Sequence, residues 1–131
     1  MPQNDLTGAD TVTICMPVSL EYVRILRLTT SGMATRLGFD VEGIDDLRIA
    51  VDELASAVIG AATGPTLEVT LCARDGELRI EGRAGVPADC VVALDDLSNR
   101  ILKAVSDDFG VEVAGTTARF WCARPIPGPD R

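Results

Sequence analysis

The sequence contains no histidine, and this absence excludes several kinds of catalytic site at once. Serine-histidine and cysteine-histidine nucleophile pairs, histidine general bases and the HExxH metal motif all need an imidazole. The four cysteines, Cys15, Cys72, Cys90 and Cys122, lie far apart and form no CxxC pair, so we expect no zinc site. We expect them to be buried or half-buried, as free cysteines usually are. Any chemistry must therefore depend on carboxylates, lysine, arginine or a bound metal.

The sequence also lacks long apolar runs and basic clusters. No stretch approaches the roughly 20 apolar residues that cross a bilayer, and Met1 is followed by polar and acidic residues rather than a secretion signal. We therefore expect a cytoplasmic protein without membrane contact. The net charge is −8 and no patch of lysine and arginine could follow phosphates, which argues against direct nucleic-acid binding.

The chain has 131 residues, of which 47% are hydrophobic, and this size fits one folded domain. Residues 1–10 are polar without a period, and residues 125–131 contain three prolines. Proline interrupts both helices and central strands. We expect one domain over 11–124, with a flexible N-terminus and a flexible proline-rich tail.

The spacing of apolar residues predicts a strand followed by two helices. Apolar and polar residues alternate over 11–16, which is typical of a half-buried strand. A helix is expected from an N-cap at Ser19 to about Leu37, with Gly38 as its end. A second helix over about 43–62 has the strongest pattern. Its apolar stripe consists of Ile44, Leu47, Val51, Leu54 and Val58.

Two hairpins and a third helix are expected in the second half. Alternation over 67–81 around an Asp-Gly turn at 75–76 predicts an antiparallel hairpin. After an irregular stretch over 85–93, we expect a helix over about 95–108 and a last hairpin around Gly115. The aspartates at the ends of that helix, Asp95, Asp96, Asp107 and Asp108, are typical of helix-end charge. This order predicts a two-layer α/β (α+β) sandwich.

Residues 44–54 (IDDLRIAVDEL) carry a family resemblance. They resemble the glutamate-bearing helix of small bacterial anti-sigma-factor serine kinases of the RsbW and SpoIIAB kind, which are GHKL (Bergerat-fold) ATPases. Residues 101–108, followed by Gly115 and Thr116, are similar to the closing helix and strands of that family. The resemblance implies a histidine-kinase-like ATPase fold, with a mixed, mostly antiparallel sheet and helices on one face.

The resemblance also implies a nucleotide site, and several of its residues are replaced here. Glu53 matches the family's catalytic glutamate, but Ala57 stands four residues later, where family members have an asparagine that coordinates magnesium. An alanine cannot ligate a metal. Glu53 is therefore either a residual catalytic carboxylate or a solvated charge on the polar side of the helix.

Adenine and phosphate recognition are affected in the same way. Ala84, followed by Gly85, aligns best with the aspartate that accepts a hydrogen bond from adenine, although a shifted alignment offers Glu81 or Asp89. Residues 98–101 (SNRI) replace a glycine motif whose backbone would bind phosphates. We expect no ATP hydrolysis, no phosphoryl transfer and no cofactor. Weak nucleotide binding is compatible with these losses, and ATP with magnesium would be needed by an active kinase.

The resemblance further implies protein partners. An arginine near the start of the first helix contacts the sigma factor in family members, so Arg24 and Arg27 are candidate partner-binding residues, or else an ordinary exposed basic pair. Trp121 is either covered by a loop or part of a contact surface. We expect a sigma factor as partner, an anti-anti-sigma (STAS) protein as a second one, and a homodimer formed through the sheets. The alternatives are an active serine kinase that phosphorylates the STAS antagonist and a regulator of some other partner.

Overall fold

A computed structural model describes residues 10–128 of the chain, and its elements follow the predicted order. The flexible ends were predicted over 1–10 and 125–131, and residues 1–9 and 129–131 of them lie outside the described residues. Asp10 and Pro125 belong to strands of the sheet, so the domain extends beyond the predicted 11–124 by one residue at each end. The strands are β1 (Asp10–Pro17), β2 (Thr66–Arg74), β3 (Glu77–Gly85), β4 (Asp108–Ala114) and β5 (Thr117–Pro125). The helices are α1 (Val23–Arg36), α2 (Val41–Ala61) and α3 (Asp96–Val105), and a single 3-10 turn (Leu20–Tyr22) precedes α1.

The five strands form one sheet in the order β1-β2-β3-β5-β4. Each neighbouring pair of these described strands is antiparallel, so the sheet of residues 10–128 is antiparallel throughout rather than mixed. The helix α2 packs on β3 and β5 and has α1 and α3 as neighbours. The predicted α+β sandwich of one sheet and one helical layer is therefore confirmed. Within residues 10–128, none of the helices combines the length and apolar character that a bilayer crossing requires.

The core lies between α2 and the sheet, and the predicted apolar stripe of α2 forms much of it. Four of the five stripe residues, Leu47, Val51, Leu54 and Val58, are fully buried. The helix begins at Val41, two residues earlier than expected, because the Asp40 carboxylate caps it by accepting a hydrogen bond from Gly43 N at 2.8 Å.

Two glycines in the sheet are covered by aromatic rings of the neighbouring strand. Gly82 of β3 pairs with Phe120, and Gly110 of β4 pairs with Trp121. A side chain at either glycine would overlap the facing ring. Arg119 lies 4.5 Å above the centre of the Trp121 ring. Trp121 is thus half-buried by a strand and an arginine rather than by a loop.

The third helix is shorter than expected, and the prediction of its C-terminal end was wrong. The helix ends at Val105, and Ser106 is already extended (φ −140°, ψ 143°). The Ser106 hydroxyl donates a hydrogen bond to the carbonyl oxygen of Asp108 at 2.9 Å, which stabilises the turn into β4. Asp108 is therefore the first residue of a strand, where it pairs with Arg79, and not a helix-end charge.

The prediction of buried cysteines was wrong for Cys15, which is exposed on the edge strand β1. Cys72 and Cys90 are half-buried and Cys122 is buried. Burial raises the pKa of the Cys122 thiol to about 12. Cys122 is therefore protonated and unreactive in the folded protein at neutral pH.

Candidate functional site

Two neighbouring carboxylates of α2 contact different helices. The Asp52 carboxylate lies 3.2 Å from Arg27 Nε of α1. The Glu53 carboxylate accepts a hydrogen bond from the Ser98 hydroxyl of α3 at 2.7 Å. Successive residues of a helix point about 100° apart, so adjacent side chains can reach separate neighbours. Glu53 is therefore half-buried and bonded, and it is not a freely solvated charge.

The partner of Glu53 belongs to the first turn of α3, and this turn is fixed by its own contacts. Asp95 caps the helix by accepting a hydrogen bond from Ser98 N at 2.7 Å, which lowers the pKa of Asp95. The Asn99 side chain donates to the carbonyl oxygens of Leu94 and Asp95, both at 3.2 Å. The start of α3 therefore lies against α2 at the residue that aligns with the family's catalytic glutamate.

We expect the contact between Glu53 and Ser98 to contribute measurably to stability. A double-mutant cycle of Glu53→Ala and Ser98→Ala should give a coupling energy of about 1 kcal/mol, because the hydrogen bond involves a charged, partly buried acceptor. Urea unfolding of the wild type, the two single variants and the double variant measures this energy. Pairing Ser98→Ala with Glu42→Ala, an exposed glutamate in the first turn of α2, is the matched control and should be additive. Additivity in the Glu53 cycle would contradict the contact.

The three other positions assigned to the nucleotide site offer no ligand side chain. Ala57 lies one turn beyond Glu53 on α2 and carries only a methyl group. Ala84 is buried in β3 between Leu67 and Ala118 of the neighbouring strands. The carbonyl oxygen of Gly85 accepts hydrogen bonds from the backbone N–H groups of residues 63 and 64 at 2.9 and 3.1 Å. Gly85 therefore joins the end of β3 to the loop after α2.

The two alternative residues for adenine recognition lie in different parts of the structure. The side chain of Glu81 lies on the sheet face opposite the buried Ile80 and Gly82, where it accepts a hydrogen bond from Arg79 Nε at 2.7 Å. It therefore points away from α2. Asp89 is exposed in the loop after β3 and has a positive φ of 63°.

The donor set around Glu53 does not fit a magnesium-nucleotide complex. Magnesium in nucleotide sites is held by one or two oxygen-bearing side chains together with the phosphates and water. Glu53 is bonded to Ser98, and Ala57 and Ala84 provide neither a metal ligand nor an adenine acceptor. We therefore derive no phosphoryl-transfer step for this site.

The two candidate partner-binding arginines differ in their surroundings. Arg27 is half-buried against Asp52, so it connects α1 to α2 rather than forming an exposed pair with Arg24. Burial raises the pKa of Asp52 although the Arg27 charge lowers it, so this ion pair costs desolvation as well as gaining attraction. Arg24 is exposed on α1 and forms no ion pair with a carboxylate of the described residues.

Apolar side chains surround Arg24 on the solvent side of the molecule, and the sequence analysis missed them. Leu20 is 63% exposed, Ile25 47% and Leu28 67%. We call these residues and Arg24 the α1 surface. A depression of about 200 Å³ beside it is lined by Arg24, Arg27, Leu28, Ser31 and Arg48. The sequence could have revealed this surface, because Ile25 and Leu28 lie outside the stripe of residues that α1 buries.

Sequence comparison finds relatives among serine-protein kinases, although no protein-family model matches the chain. The serine-protein kinase RsbW of Listeria monocytogenes is 40% identical over 76 residues, which are 57% of this chain and 43% of that protein. The serine-protein kinase RsbW of Bacillus subtilis is 43% identical over 52 residues, or 40% of this chain and 32% of that protein. The matched part thus spans less than half the length of these curated relatives.

A solved structure has the same fold. It is the crystal structure of the RsbU and RsbW domains of Rv1364c from Mycobacterium tuberculosis, with a TM-score of 0.67 and 16% sequence identity. The match covers 89% of this chain and 34% of that chain. The resemblance to the RsbW kind that residues 44–54 suggested is therefore confirmed, both by partial sequence similarity and by the shared fold.

Proposed function

We propose that the chain is a bacterial anti-sigma-factor-like regulator that sequesters a sigma factor by protein-protein binding, without transferring phosphate. The observation that carries this proposal is the hydrogen bond from Ser98 to Glu53. It occupies the one carboxylate that would activate a hydroxyl in an active relative, and it brings α3 against α2 there. Ser98 thus hydrogen-bonds the Glu53 carboxylate, which a kinase would keep available for its substrate.

The missing ligands support the same proposal. Magnesium ligation, adenine recognition and phosphate binding each contribute to phosphoryl transfer. Ala57 lacks the atoms for magnesium ligation, and Ala84 lacks those for adenine recognition. At the position of the family's phosphate-binding glycine motif, Ser98 donates a hydrogen bond to Glu53. Replacement at three separate positions is difficult to reconcile with efficient catalysis.

The α1 surface supports the binding half of the proposal. It combines exposed leucine and isoleucine side chains with Arg24, and such apolar residues around an arginine are typical of protein interfaces. We propose that the sigma factor contacts Leu28 and Arg24. Arg27 would act indirectly, because its contact with Asp52 holds α1 on α2.

The alternative is an active serine kinase that phosphorylates a STAS antagonist with ATP and magnesium. The partial similarity to serine-protein kinases favours it. It requires Ser98 to leave Glu53 and another side chain to ligate the metal.

We consider a cytoplasmic site of action, a STAS partner and a homodimer formed through the sheets to be further parts of the proposed role of the regulator.

Binding of a sigma factor with and without nucleotide tests the proposal. The purified chain is titrated with a sigma factor that co-purifies with it, first without nucleotide and then with ATP and magnesium. We expect the same affinity in both conditions, and Glu53→Gln should bind as the wild type does. An affinity that depends on ATP and falls in Glu53→Gln would favour the kinase alternative.

A further inference from the structure

Residues 90–95, between β3 and α3, belong to no helix or strand, and their exposure alternates along the chain. Their side chains alternate, because Cys90, Val92 and Leu94 pack on the core while the residues between them are exposed. Val91 is 82% exposed. A single exposed valine is common on protein surfaces, so the inference depends on what lies beside Val91.

Hydrogen bonds hold this segment at both ends. Before it, Val86 N donates to the carbonyl oxygen of Thr116 at 2.9 Å, and Cys90 N donates to that of Pro87 at 3.2 Å. After it, the Asn99 side chain donates to the carbonyl oxygen of Leu94 at 3.2 Å. Between these anchors, the backbone of residues 91–93 forms no hydrogen bond with any other part of residues 10–128. Its N–H and C=O groups are thus free to pair with another chain.

A second exposed apolar side chain follows on the first turn of α3, where Leu97 is 64% exposed. The exposed charges within three residues of Val91 and Leu97 are three negative ones, Asp89, Asp95 and Asp96, and one positive one, Arg100. No lysine or arginine occurs between Arg83 and Arg100. The carboxylates repel phosphate groups, which argues against a nucleic acid or an anionic membrane as the ligand. Apolar residues whose neighbours are mostly negative are complementary to apolar residues with positive neighbours.

We infer that Val91, Leu97 and the unpaired backbone of 91–93 form a second docking surface, which takes a segment of a partner protein that combines leucine-like side chains with lysine or arginine. We call it the 91–97 surface. It is a different face from the α1 surface, and its charge has the opposite sign. This inference does not depend on the proposed function.

Two synthetic peptides of opposite charge test the inference. One alternates leucine with lysine and the other alternates leucine with glutamate, at equal length. The full chain, labelled with nitrogen-15, is titrated with each peptide and its amide signals are followed by NMR. We expect the leucine-lysine peptide to shift the signals of residues 89–97, and the leucine-glutamate peptide to leave them unchanged.

Two double variants distinguish apolar contacts with the 91–97 surface from general electrostatic attraction of the basic peptide to an acidic protein. Val91→Ser with Leu97→Ser should weaken the leucine-lysine peptide about tenfold, because two apolar contacts are lost. Leu20→Ser with Leu28→Ser is the matched control on the α1 surface and should bind the peptide as the wild type does. Circular dichroism checks that each variant is folded. Shifts centred elsewhere on the molecule, or equal affinity in both double variants, would overturn the inference.

Discussion

Leu28→Asp is expected to lower the affinity for a sigma factor that co-purifies with the chain by about a hundredfold. Leu28 is 67% exposed beside Arg24, so the change removes an apolar contact and places a carboxylate in the interface. Arg24→Glu should have a similar effect through the reversed charge. Isothermal titration of the purified sigma factor into each variant measures the loss. Neither side chain is buried, so the variants should fold as the wild type does.

Two substitutions of the same chemistry serve as controls for the α1 surface. Val41→Asp changes another exposed apolar residue, at the start of α2, and Arg36→Glu reverses an exposed charge at the far end of α1. Both should bind the sigma factor with an affinity close to that of the wild type. If Leu28→Asp also keeps that affinity, the partner binds another face of the molecule.

Gly82→Ala is expected to destabilise the protein by about 3 kcal/mol. An added Cβ at Gly82 would overlap the Phe120 ring, which is fully buried and cannot move into solvent. The ring would have to shift inside the core, and this strains the neighbouring side chains. Urea unfolding followed by circular dichroism measures the change in the free energy of unfolding.

The control for Gly82 is a glycine with free space around it. Gly32 in α1 has nothing within 4 Å of an added Cβ, so Gly32→Ala should stabilise the protein by about 0.5–1 kcal/mol. Combining Gly82→Ala with Phe120→Leu should cost less than the sum of the single changes, because the smaller side chain leaves room. Equal effects of alanine at Gly82 and Gly32 would be inconsistent with the packing of Phe120.

The sequence predicts the elements well where one periodicity dominates. The stripe of α2 and the Asp-Gly turn, where both residues have positive φ (55° and 77°), follow from local spacing and local backbone chemistry. The end of α3 could not be predicted from local spacing, because Asp107 and Asp108 resemble the charges that are common at helix ends. The strand that begins at Asp108 depends instead on pairing with β5 and on an ion pair with Arg79.

The candidate site was predictable only in part, because local patterns do not reveal contacts between distant parts of the chain. Ala57 is informative from sequence because a helix fixes its distance from Glu53. The contact of Glu53 with Ser98 joins residues 45 positions apart, so local patterns contain no signal for it. The pairing of Arg27 with Asp52 depends in the same way on how α1 packs against α2. Such tertiary contacts decide whether a charged side chain is available to a ligand.

Titration of the purified chain with ATP and magnesium, in the presence of a STAS protein as phosphate acceptor, tests the central claim most directly. Calorimetry reports binding, and mass spectrometry of the STAS protein reports phosphorylation of a serine. We expect no binding in the micromolar range and an unmodified STAS protein, because Ser98 engages Glu53 and Ala57 cannot hold the metal. Micromolar ATP binding accompanied by serine phosphorylation would contradict the claim and identify the chain as an active kinase.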